Sequence, residues 1–194
     1  MTADIILSSM TAVIVDVSNS PALRLPPGPP PGLPCHVAPA QPADRPALAA
    51  LFAACSPETI RLRFFGQLRK WPGGYLNSAL SAPPGEHDAV VAYGADRTDV
   101  LGLASLAAPC GPEPGVGELG VLIADAWQRQ GLATTMLELL FHRARARGVE
   151  RVAASVLHGR SALLTALARR LEPDGGLRTR EGLTGVYRLT QRAR

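Results

Sequence analysis

With 194 residues, of which 46% are hydrophobic and 19% are charged, the chain can bury a core as one globular domain and lacks the composition of a disordered protein. No apolar run reaches the roughly 20 residues that a membrane helix needs, and the mildly apolar start lacks the basic region of a signal peptide, so we expect a cytoplasmic protein. The three cysteines, Cys35, Cys55 and Cys110, are odd in number and show no metal-ligand spacing, so we expect neither a disulfide framework nor a metal site.

Charge is divided unevenly along the chain. Residues 1–126 carry 7 basic and 11 acidic side chains, a net charge of −4, whereas residues 127–194 carry 13 arginines and 5 acidic side chains, a net charge of +8. A basic half indicates an anionic partner, either a nucleic acid or a phosphorylated cofactor. Arg143, Arg145 and Arg147 fit a solvated helix face equally well. Interleaved aromatic residues and a helix-turn-helix pattern are missing, which argues against nucleic acid.

The N-terminal part of the chain is rich in proline. Residues 21–46 contain 10 of the 18 prolines. Because proline fixes φ and has no N–H group, this stretch is extended and cannot join a central strand. We expect residues 1–34 to form a flexible tail and residues 35–194 to form a single domain. An inert linker is a simpler interpretation of the tail than a ligand for SH3-type domains.

The domain is predicted to open with a strand near residues 35–38 and two helices. Asp44 is a plausible N-cap for a helix over residues 45–55. Ser56, followed by Pro57, is typical of a second helix start, because the hydroxyl can accept a bond from a first-turn N–H and proline needs no donor there.

The rest of the domain alternates strand-like and helical patterns. In chain order we predict a short helix at 75–80, strands at 89–93, 100–106 and 118–124, a long helix at 131–147 that Gly148 ends, a strand at 151–157, a helix at 161–171 and a strand at 183–190. This order indicates a mixed α/β domain and not a regular doubly wound repeat.

The segment with most chemical information joins the strand at 118–124 to the long helix. A helix start offers backbone N–H groups without internal partners and the positive end of the helix dipole. Gly131 removes the Cβ that would keep a phosphate away, Ala133 keeps the next wall small, and Arg129 adds a permanent charge. The pattern is neither a Walker loop nor a dinucleotide fingerprint, so we expect a different diphosphate-bearing cofactor.

The string Gln128-x-x-Gly131-x-Ala133 resembles the cofactor motif Gln/Arg-x-x-Gly-x-Gly/Ala of the GNAT superfamily of acyl-CoA N-acyltransferases. The wider string from Gly117 to Gln128, together with Ser56-Pro57-Glu58 and Arg63-Phe64-Phe65, is similar to bacterial Pat-type protein-lysine acetyltransferases. The resemblance covers about residues 35–190. It implies a central twisted mixed sheet of about 6–7 strands, flanked by helices and splayed between strands 4 and 5.

The resemblance also implies a binding site for acetyl-CoA, with coenzyme A as the product. The pantetheine arm would pair with the backbone near Val121, Leu122 and Ile123, and a backbone N–H near Leu122 or Ile123 would polarise the thioester carbonyl. The residues implied to hold the remainder of the cofactor are Gln128, Arg129, Gln130, Gly131, Leu132, Ala133, Thr134 and Arg160.

An attacking amine must first lose a proton, because a lysine ε-amine is almost fully protonated near pH 7. The resemblance implies that Glu118, which opens the cofactor strand, is the general base. A charged residue facing solvent at a strand end is the alternative interpretation. Asp125 is the second candidate base, and it could equally cap the turn after the strand.

The chain departs from the family pattern in the second half of the site. Arg160 stands where members often carry Asn, residues 170–173 replace a Gly-Phe pair, and residues 161–171 lack the Tyr that some members use as an acid, leaving Tyr187 as the only late tyrosine. These departures leave open a weakly catalytic regulator that binds acyl-CoA. For an enzyme, the acceptor is a protein lysine or a small amine. We expect a monomer or homodimer with no nucleic-acid or membrane partner.

Overall fold

A computed structural model describes residues 35–108 and 115–189 of the chain. The predicted tail at residues 1–34 and Cys110 lie outside the described residues. Within the described ranges, no helix is both long and apolar enough to cross a membrane. Over the same residues, no three His, Cys, Asp or Glu side chains are grouped so that they could hold a metal ion.

The described chain folds into seven strands and five helices, in the predicted order except for one additional strand. The elements are β1 (His36–Pro39), α1 (Arg45–Ala54), α2 (Pro57–Phe64), α3 (Gly73–Ser81), β2 (His87–Tyr93), β3 (Val100–Ala107), β4 (Val116–Ile123), α4 (Leu132–Ala146), β5 (Arg151–Leu157), α5 (Ala162–Ala168), β6 (Glu172–Arg178) and β7 (Gly182–Arg188).

All seven strands belong to one sheet, in the order β1-β2-β3-β4-β5-β7-β6. Neighbouring strands are antiparallel except β4 and β5, which are parallel and pair only from Val116 to Glu118. Beyond Glu118 the two strands separate, although β4 continues to Ile123 and β5 to Leu157. The predicted mixed sheet of about 6–7 strands, opened between the fourth and fifth, is therefore confirmed, with seven strands in the described residues.

Each face of the sheet carries its own apolar core. Helices α4 and α5 pack on one face, where Val121 is fully buried. Helices α1, α2 and α3 pack on the other face, where Leu122 is buried. Because side chains alternate between faces along a strand, Glu118 and Gly120 lie on the same face as Leu122. That face carries the groups described below.

The caps of the first two helices differ in how they work. Ser56 caps α2 as predicted, because its hydroxyl accepts the Thr59 N–H at 3.2 Å. Asp44 stands at the predicted N-cap position of α1, but its side chain makes no capping bond. Its two oxygens accept the Gln41 N–H and the Tyr93 hydroxyl, each at 2.7 Å, so it ties the helix start to β2.

Strand β6 is absent from the sequence prediction, which extends the preceding helix to residue 171. Its sequence contains one proline and two glycines, and nearly all its residues are exposed. It is an edge strand that pairs only with β7, a position where proline and glycine are tolerated and no apolar alternation is required. Helix α5 accordingly ends at Ala168.

The α4 arginines, whose role the sequence leaves open, tie the helix to the sheet. Arg143 and Arg147 bind Asp88 of β2 at 2.8 and 2.6 Å. Arg145 donates a hydrogen bond to the Leu189 carbonyl after β7. Arg143 and Arg147 are therefore anchored to the sheet, whereas Arg145 is exposed but tied to the residue after β7.

Candidate active site

Glu118 stands at the point where β4 and β5 separate. It is the last β4 residue that pairs with β5, opposite Ala153. Its side chain is half-buried, and this burial raises the pKa of its carboxyl group to about 7, against the opposing effect of the Arg63 charge. A carboxyl group with such a pKa can accept a proton near neutral pH and release it again.

Beyond Glu118, one backbone edge of β4 is left open by the splay. On the β3 side, the Ala124 N–H donates to the Leu101 carbonyl at 3.0 Å. The Ile123 carbonyl points the other way and accepts a bond from the Gln128 side chain at 3.1 Å. Because backbone groups of successive strand residues alternate between edges, those of Val121 and Ile123 face the opening and those of Leu122 face β3. An extended ligand chain could therefore pair with alternate β4 residues.

The turn between β4 and α4 presents a row of free N–H groups. Gly131, which precedes α4, and Arg129 both have left-handed backbone conformations, with φ of 87° and 61°. No hydrogen bond to another described residue engages the N–H groups of residues 129–133. The Thr134 N–H, by contrast, donates to the Gly131 carbonyl at 3.0 Å. Five N–H groups, those of Arg129, Gln130, Gly131, Leu132 and Ala133, can thus meet an anion.

The two glutamine side chains of this turn are held by the protein. The Gln128 amide donates to the Thr59 hydroxyl and to the Ile123 carbonyl, both at 3.1 Å. The Gln130 amide donates to the Ala126 carbonyl at 2.7 Å. Both amides brace the turn, so its capacity to bind a phosphate rests on the backbone and on the exposed Arg129 side chain.

Asp125 connects the same turn to the start of α2. One of its oxygens accepts the Ser56 N–H at 2.8 Å, and the other accepts the hydroxyls of Ser56 and Thr59 at 2.7 and 2.9 Å. Although burial acts to raise it, these hydrogen bonds lower the pKa of Asp125 overall. Asp125 therefore has the contacts of a turn cap, one of its two predicted roles.

Arg160 is joined to α2 by an exposed ion pair. Its guanidinium lies 3.1 Å from Glu58, which also binds Arg61 at 2.8 Å. Helix α2 packs on β4, whereas Arg160 follows β5, so this ion pair connects the two sides of the splay. Both side chains are more than 40% exposed, so the pair can open without uncovering the core.

Tyr187 lies on the opposite face of the sheet from Glu118. It is buried in the core beneath α4 and α5, and its hydroxyl donates to the Leu164 carbonyl at 2.8 Å. The tyrosines on the Glu118 face are Tyr93 of β2, whose hydroxyl donates to Asp44, and Tyr75 of α3, whose ring stacks on Trp71 with centroids 5.7 Å apart. Helix α5 contains no tyrosine that could lie near the opening.

Comparison with known protein families decides what kind of protein this is. Residues 46–171 match the sequence model of the Acetyltransferase (GNAT) family, which is more than half of the chain. The chain belongs to the GNAT acetyltransferase family. Members of this family use acetyl-CoA as cosubstrate, as the sequence resemblance implied. No curated protein sequence matches the chain.

Solved structures share the GNAT fold of this chain. The GNAT domain of PAT from S. lividans is similar with a TM-score of 0.69 and 18% identity, over 79% of this chain and 90% of that chain. A GCN5-related N-acetyltransferase from Kribbella flavida has a TM-score of 0.59 and 19% identity, over 79% and 96%. Ribosomal-protein-S5-alanine acetyltransferase from Vibrio fischeri has a TM-score of 0.62 and 11% identity, over 79% and 91%. At these identities the likeness establishes the fold alone.

In this GNAT domain, sequence reasoning missed the position of Arg63. Its side chain is 2% exposed, and its guanidinium lies 4.8 Å from the Phe64 ring centroid and 5.0 Å from that of Tyr75. One guanidinium nitrogen donates to the Tyr75 hydroxyl at 2.9 Å. In sequence it is one more arginine on an ordinary helix, and only the packing of α2 onto β4 brings it to Gly120.

His87 of β2 belongs to the same buried polar group. It meets the Tyr75 ring edge-on with centroids 5.3 Å apart, and its Nε2 atom is buried without a hydrogen-bond partner among the described residues. Burial, and then the charge of Arg63, lower the pKa of His87 to about 4, whereas the charge of Asp88 acts to raise it. The imidazole is therefore neutral at pH 7.

Proposed function

We propose that this GNAT protein is an acetyl-CoA-dependent N-acetyltransferase that passes the acetyl group directly to an amine, with Glu118 as general base. The observation that carries the proposal is the half-buried Glu118 carboxyl group, with a pKa of about 7, beside the unpaired edge of β4. The free N–H groups of residues 129–133, beyond the far end of the same strand, support the binding of a diphosphate.

In this proposal acetyl-CoA extends β4 as an added strand. The backbone N–H and carbonyl of Val121 and the N–H of Ile123 lie on the open edge and support pairing with the amides of the pantetheine arm, whereas the Ile123 carbonyl is already bonded to Gln128. The Ile123 N–H, on the open edge, is better placed than the Leu122 N–H to polarise the thioester carbonyl. The pyrophosphate then meets the turn at residues 129–133, and Arg129 and Arg160 supply positive charge.

The proposed reaction needs one proton acceptor and no covalent enzyme intermediate. The ionised Glu118 carboxylate removes a proton from the acceptor ammonium group, directly or through water. The amine nitrogen then bonds to the thioester carbon, the carbon–sulfur bond breaks, and coenzyme A leaves as a thiolate. A thiolate is a fair leaving group, so Tyr187 on the opposite face is not needed as an acid.

We propose a protein lysine as the acceptor. The Pat-type motifs Ser56-Pro57-Glu58 and Arg63-Phe64-Phe65 support this choice, as does the similarity to the GNAT domain of S. lividans PAT. The Glu118 carboxyl group, which has no ion-pair partner among the described residues, suits a cationic acceptor. A small amine is the alternative acceptor.

A regulator that binds acyl-CoA without consuming it is the second candidate function. The observation that favours it concerns Arg160, which stands where family members often carry Asn. Its guanidinium is engaged in an ion pair with Glu58. Binding of acetyl-CoA without turnover of any amine would support this candidate over the enzyme.

The test measures release of the coenzyme A thiol and acetyl-CoA binding for the wild type, Glu118→Gln and Gly131→Glu across small amines and acetylatable proteins. We expect Glu118→Gln to bind acetyl-CoA as the wild type does and to lose about 10²- to 10⁴-fold in turnover. Gly131→Glu should abolish binding, because a carboxylate would occupy the anion site. Gly148→Glu is the matched control, since Gly148 at the other end of α4 also has a positive φ, and a Cβ there would meet open space.

Two outcomes would overturn parts of the proposal. Unchanged turnover in Glu118→Gln would remove Glu118 as the base. Equal binding of acetyl-CoA by Gly131→Glu and Gly148→Glu would remove the turn as the pyrophosphate site. As a further check, kcat/KM of the wild type should fall about tenfold for each pH unit below 7, because Glu118 is then protonated.

A further inference from the structure

Arg63 is a buried charge without a carboxylate partner within ion-pair distance among the described residues. Its side chain is 2% exposed, and the only hydrogen bond that this side chain makes to a described residue runs from Nη2 to the Tyr75 hydroxyl. Its Nη1 atom is buried with no hydrogen-bond partner in the described part of the chain. Burying a guanidinium in this way is costly, and the two aromatic rings beside it offset only part of that cost. A contribution to the stability of the fold therefore does not explain why an arginine is buried at residue 63.

Gly120 makes room for this guanidinium. A Cβ at residue 120 would lie 2.1 Å from Nη2 and 2.6 Å from Cζ of Arg63. The backbone of Gly120 does not have the positive φ that would call for glycine. A glycine inside a central strand costs stability because it has no side chain to pack. The three atoms nearest to such a Cβ all belong to the Arg63 guanidinium, so the close approach of Arg63 is what favours glycine here.

Glu118 and Gly120 are two residues apart on β4, so they share a face about 7 Å apart. The guanidinium over Gly120 therefore lies beside the Glu118 side chain. We propose that Arg63 and Gly120 form a unit that places a permanent positive charge next to Glu118, and that Arg63 is a positioning residue that favours the ionised carboxylate. This inference rests on the proposed role of Glu118 as general base.

The electrostatics of the site agree with this geometry. Burial raises the pKa of Glu118, and the Arg63 charge is the influence that lowers it. If Arg63 were neutral, burial would act unopposed and Glu118 would hold its proton at neutral pH.

The other groups on this face do not replace the charge of Arg63. Helix α3 contributes the neutral Tyr75, and β2 contributes His87, whose pKa of about 4 leaves it neutral at pH 7. Strand β3 contributes Ser105 and Ala107, and β5 contributes Ala153, none of which is charged. The remaining charged residues of α2 are the exposed pair Glu58 and Arg61, and Asp88 of β2 lies on the opposite face with Arg143 and Arg147.

The test is a direct titration of Glu118, read by NMR of ¹³C-labelled glutamate carboxyl groups and assigned by the signal that Glu118→Gln removes. We expect Arg63→Gln to move the titration midpoint of Glu118 up by at least about one pH unit. Gly120→Ala should move it in the same direction, because the added methyl displaces the guanidinium. Arg63→Lys, which keeps the charge, should stay closer to the wild type than Arg63→Gln.

A matched control separates this effect from general damage to β4. Gly117→Ala adds a methyl group next to Glu118 on the same strand, where the three nearest atoms all belong to the uncharged Leu106 side chain, and it should leave the midpoint unchanged. The double variant Arg63→Gln/Gly120→Ala should show no larger shift than Arg63→Gln, because the displaced charge is already gone.

The inference is overturned if Arg63→Gln and Gly120→Ala fold and leave the midpoint within about 0.3 pH units of the wild type. A purely structural Arg63 would give that result, with a lower melting temperature and an unmoved midpoint. If Arg63→Gln does not fold, Gly120→Ala decides alone. Full turnover by Glu118→Gln would refute the proposed base, yet the titration would still report whether Arg63 acts on Glu118.

Discussion

Asp88 and Glu118 are acidic side chains on opposite faces of one sheet, and their surroundings are opposite in kind. Asp88 is 3% exposed and accepts hydrogen bonds from Arg143 at 2.8 to 3.2 Å, and it also binds Arg147. No described residue donates a hydrogen bond to the Glu118 side chain, and Arg63 lies on the same face without forming an ion pair with it.

The difference shows how a carboxylate that stabilises the fold can be distinguished from one that can exchange a proton with a substrate. A carboxylate whose lone pairs are filled by fixed donors is an anchor, since protonating it would break several bonds at once. A carboxyl group that is buried without donors has a raised pKa and lone pairs free for a substrate. We therefore assign Asp88 to the stability of α4 on the sheet, and Glu118 to the proposed chemistry.

The largest expected effect on stability is that of Asp88→Asn. Removing the charge leaves Arg143 and Arg147 facing a neutral amide, and we expect a loss of about 2–3 kcal/mol in the free energy of unfolding, less than for a fully buried pair because both arginines reach solvent. Urea unfolding at pH 7 measures it. Asp96→Asn, in an exposed loop, is the control and should stay near the wild type. A loss no larger than that of the control would contradict the anchoring role.

A smaller effect than that of Asp88→Asn is expected from Glu118 and His87, which make the free energy of unfolding depend on pH. Between about pH 4.5 and 7, folded Glu118 keeps a proton that the unfolded chain loses, so this group makes stability fall as pH rises. His87 acts the opposite way between about pH 4 and 6.5, because only the unfolded chain protonates it. In the wild type the two effects oppose each other.

Glu118→Gln should expose the contribution of His87. We expect the free energy of unfolding of this variant to rise by up to about 1 kcal/mol per pH unit from pH 4.5 to 6.5, with a flatter profile in the wild type. Urea unfolding at four pH values across this window measures both profiles. Identical profiles for the two proteins would mean that Glu118 does not titrate with a raised pKa.

The smallest effect should come from Glu58, a carboxylate that is paired but exposed. Breaking its bond to Arg160 by Glu58→Gln should change stability by no more than about 0.5 kcal/mol, because exposed ion pairs contribute little. Acetyl-CoA affinity should rise about two- to fivefold, since the freed Arg160 can meet a phosphate, a gain of less than about 1 kcal/mol. Calorimetric titration measures it.

The matched control for Glu58→Gln is Glu138→Gln, which breaks the comparably exposed pair of Glu138 with Arg170. Both variants should have similar melting temperatures, and only Glu58→Gln should alter cofactor affinity. An equal change of acetyl-CoA affinity in both variants would mean that the change comes from the altered net charge of the protein and not from release of Arg160. Weaker binding by Glu58→Gln alone would mean that the ion pair itself helps to hold the cofactor.

Most elements were predictable because their signals are local. Ser56 and Pro57 mark the start of α2, and Gly131 marks the start of α4, through the conformations and bonds of a few neighbouring residues. Strand β6 was missed for the same reason, since an exposed edge strand with Pro173 and two glycines carries no local apolar pattern. The partners of Arg63, Asp125 and Asp88 could not be predicted, because each depends on contacts between distant segments.

By itself, the sequence determined the family, the order of nearly all the elements, and the identity of Glu118 and the Gly131 turn as the residues worth testing. These follow from spacing, alternation and motif, which are properties of short stretches of chain. Only the tertiary structure decided where β4 parts from β5, which backbone groups of β4 stay unpaired, and which charge stands beside Glu118. These depend on how far two strands stay in register and on which face a helix covers, and both are set by packing across the whole sheet.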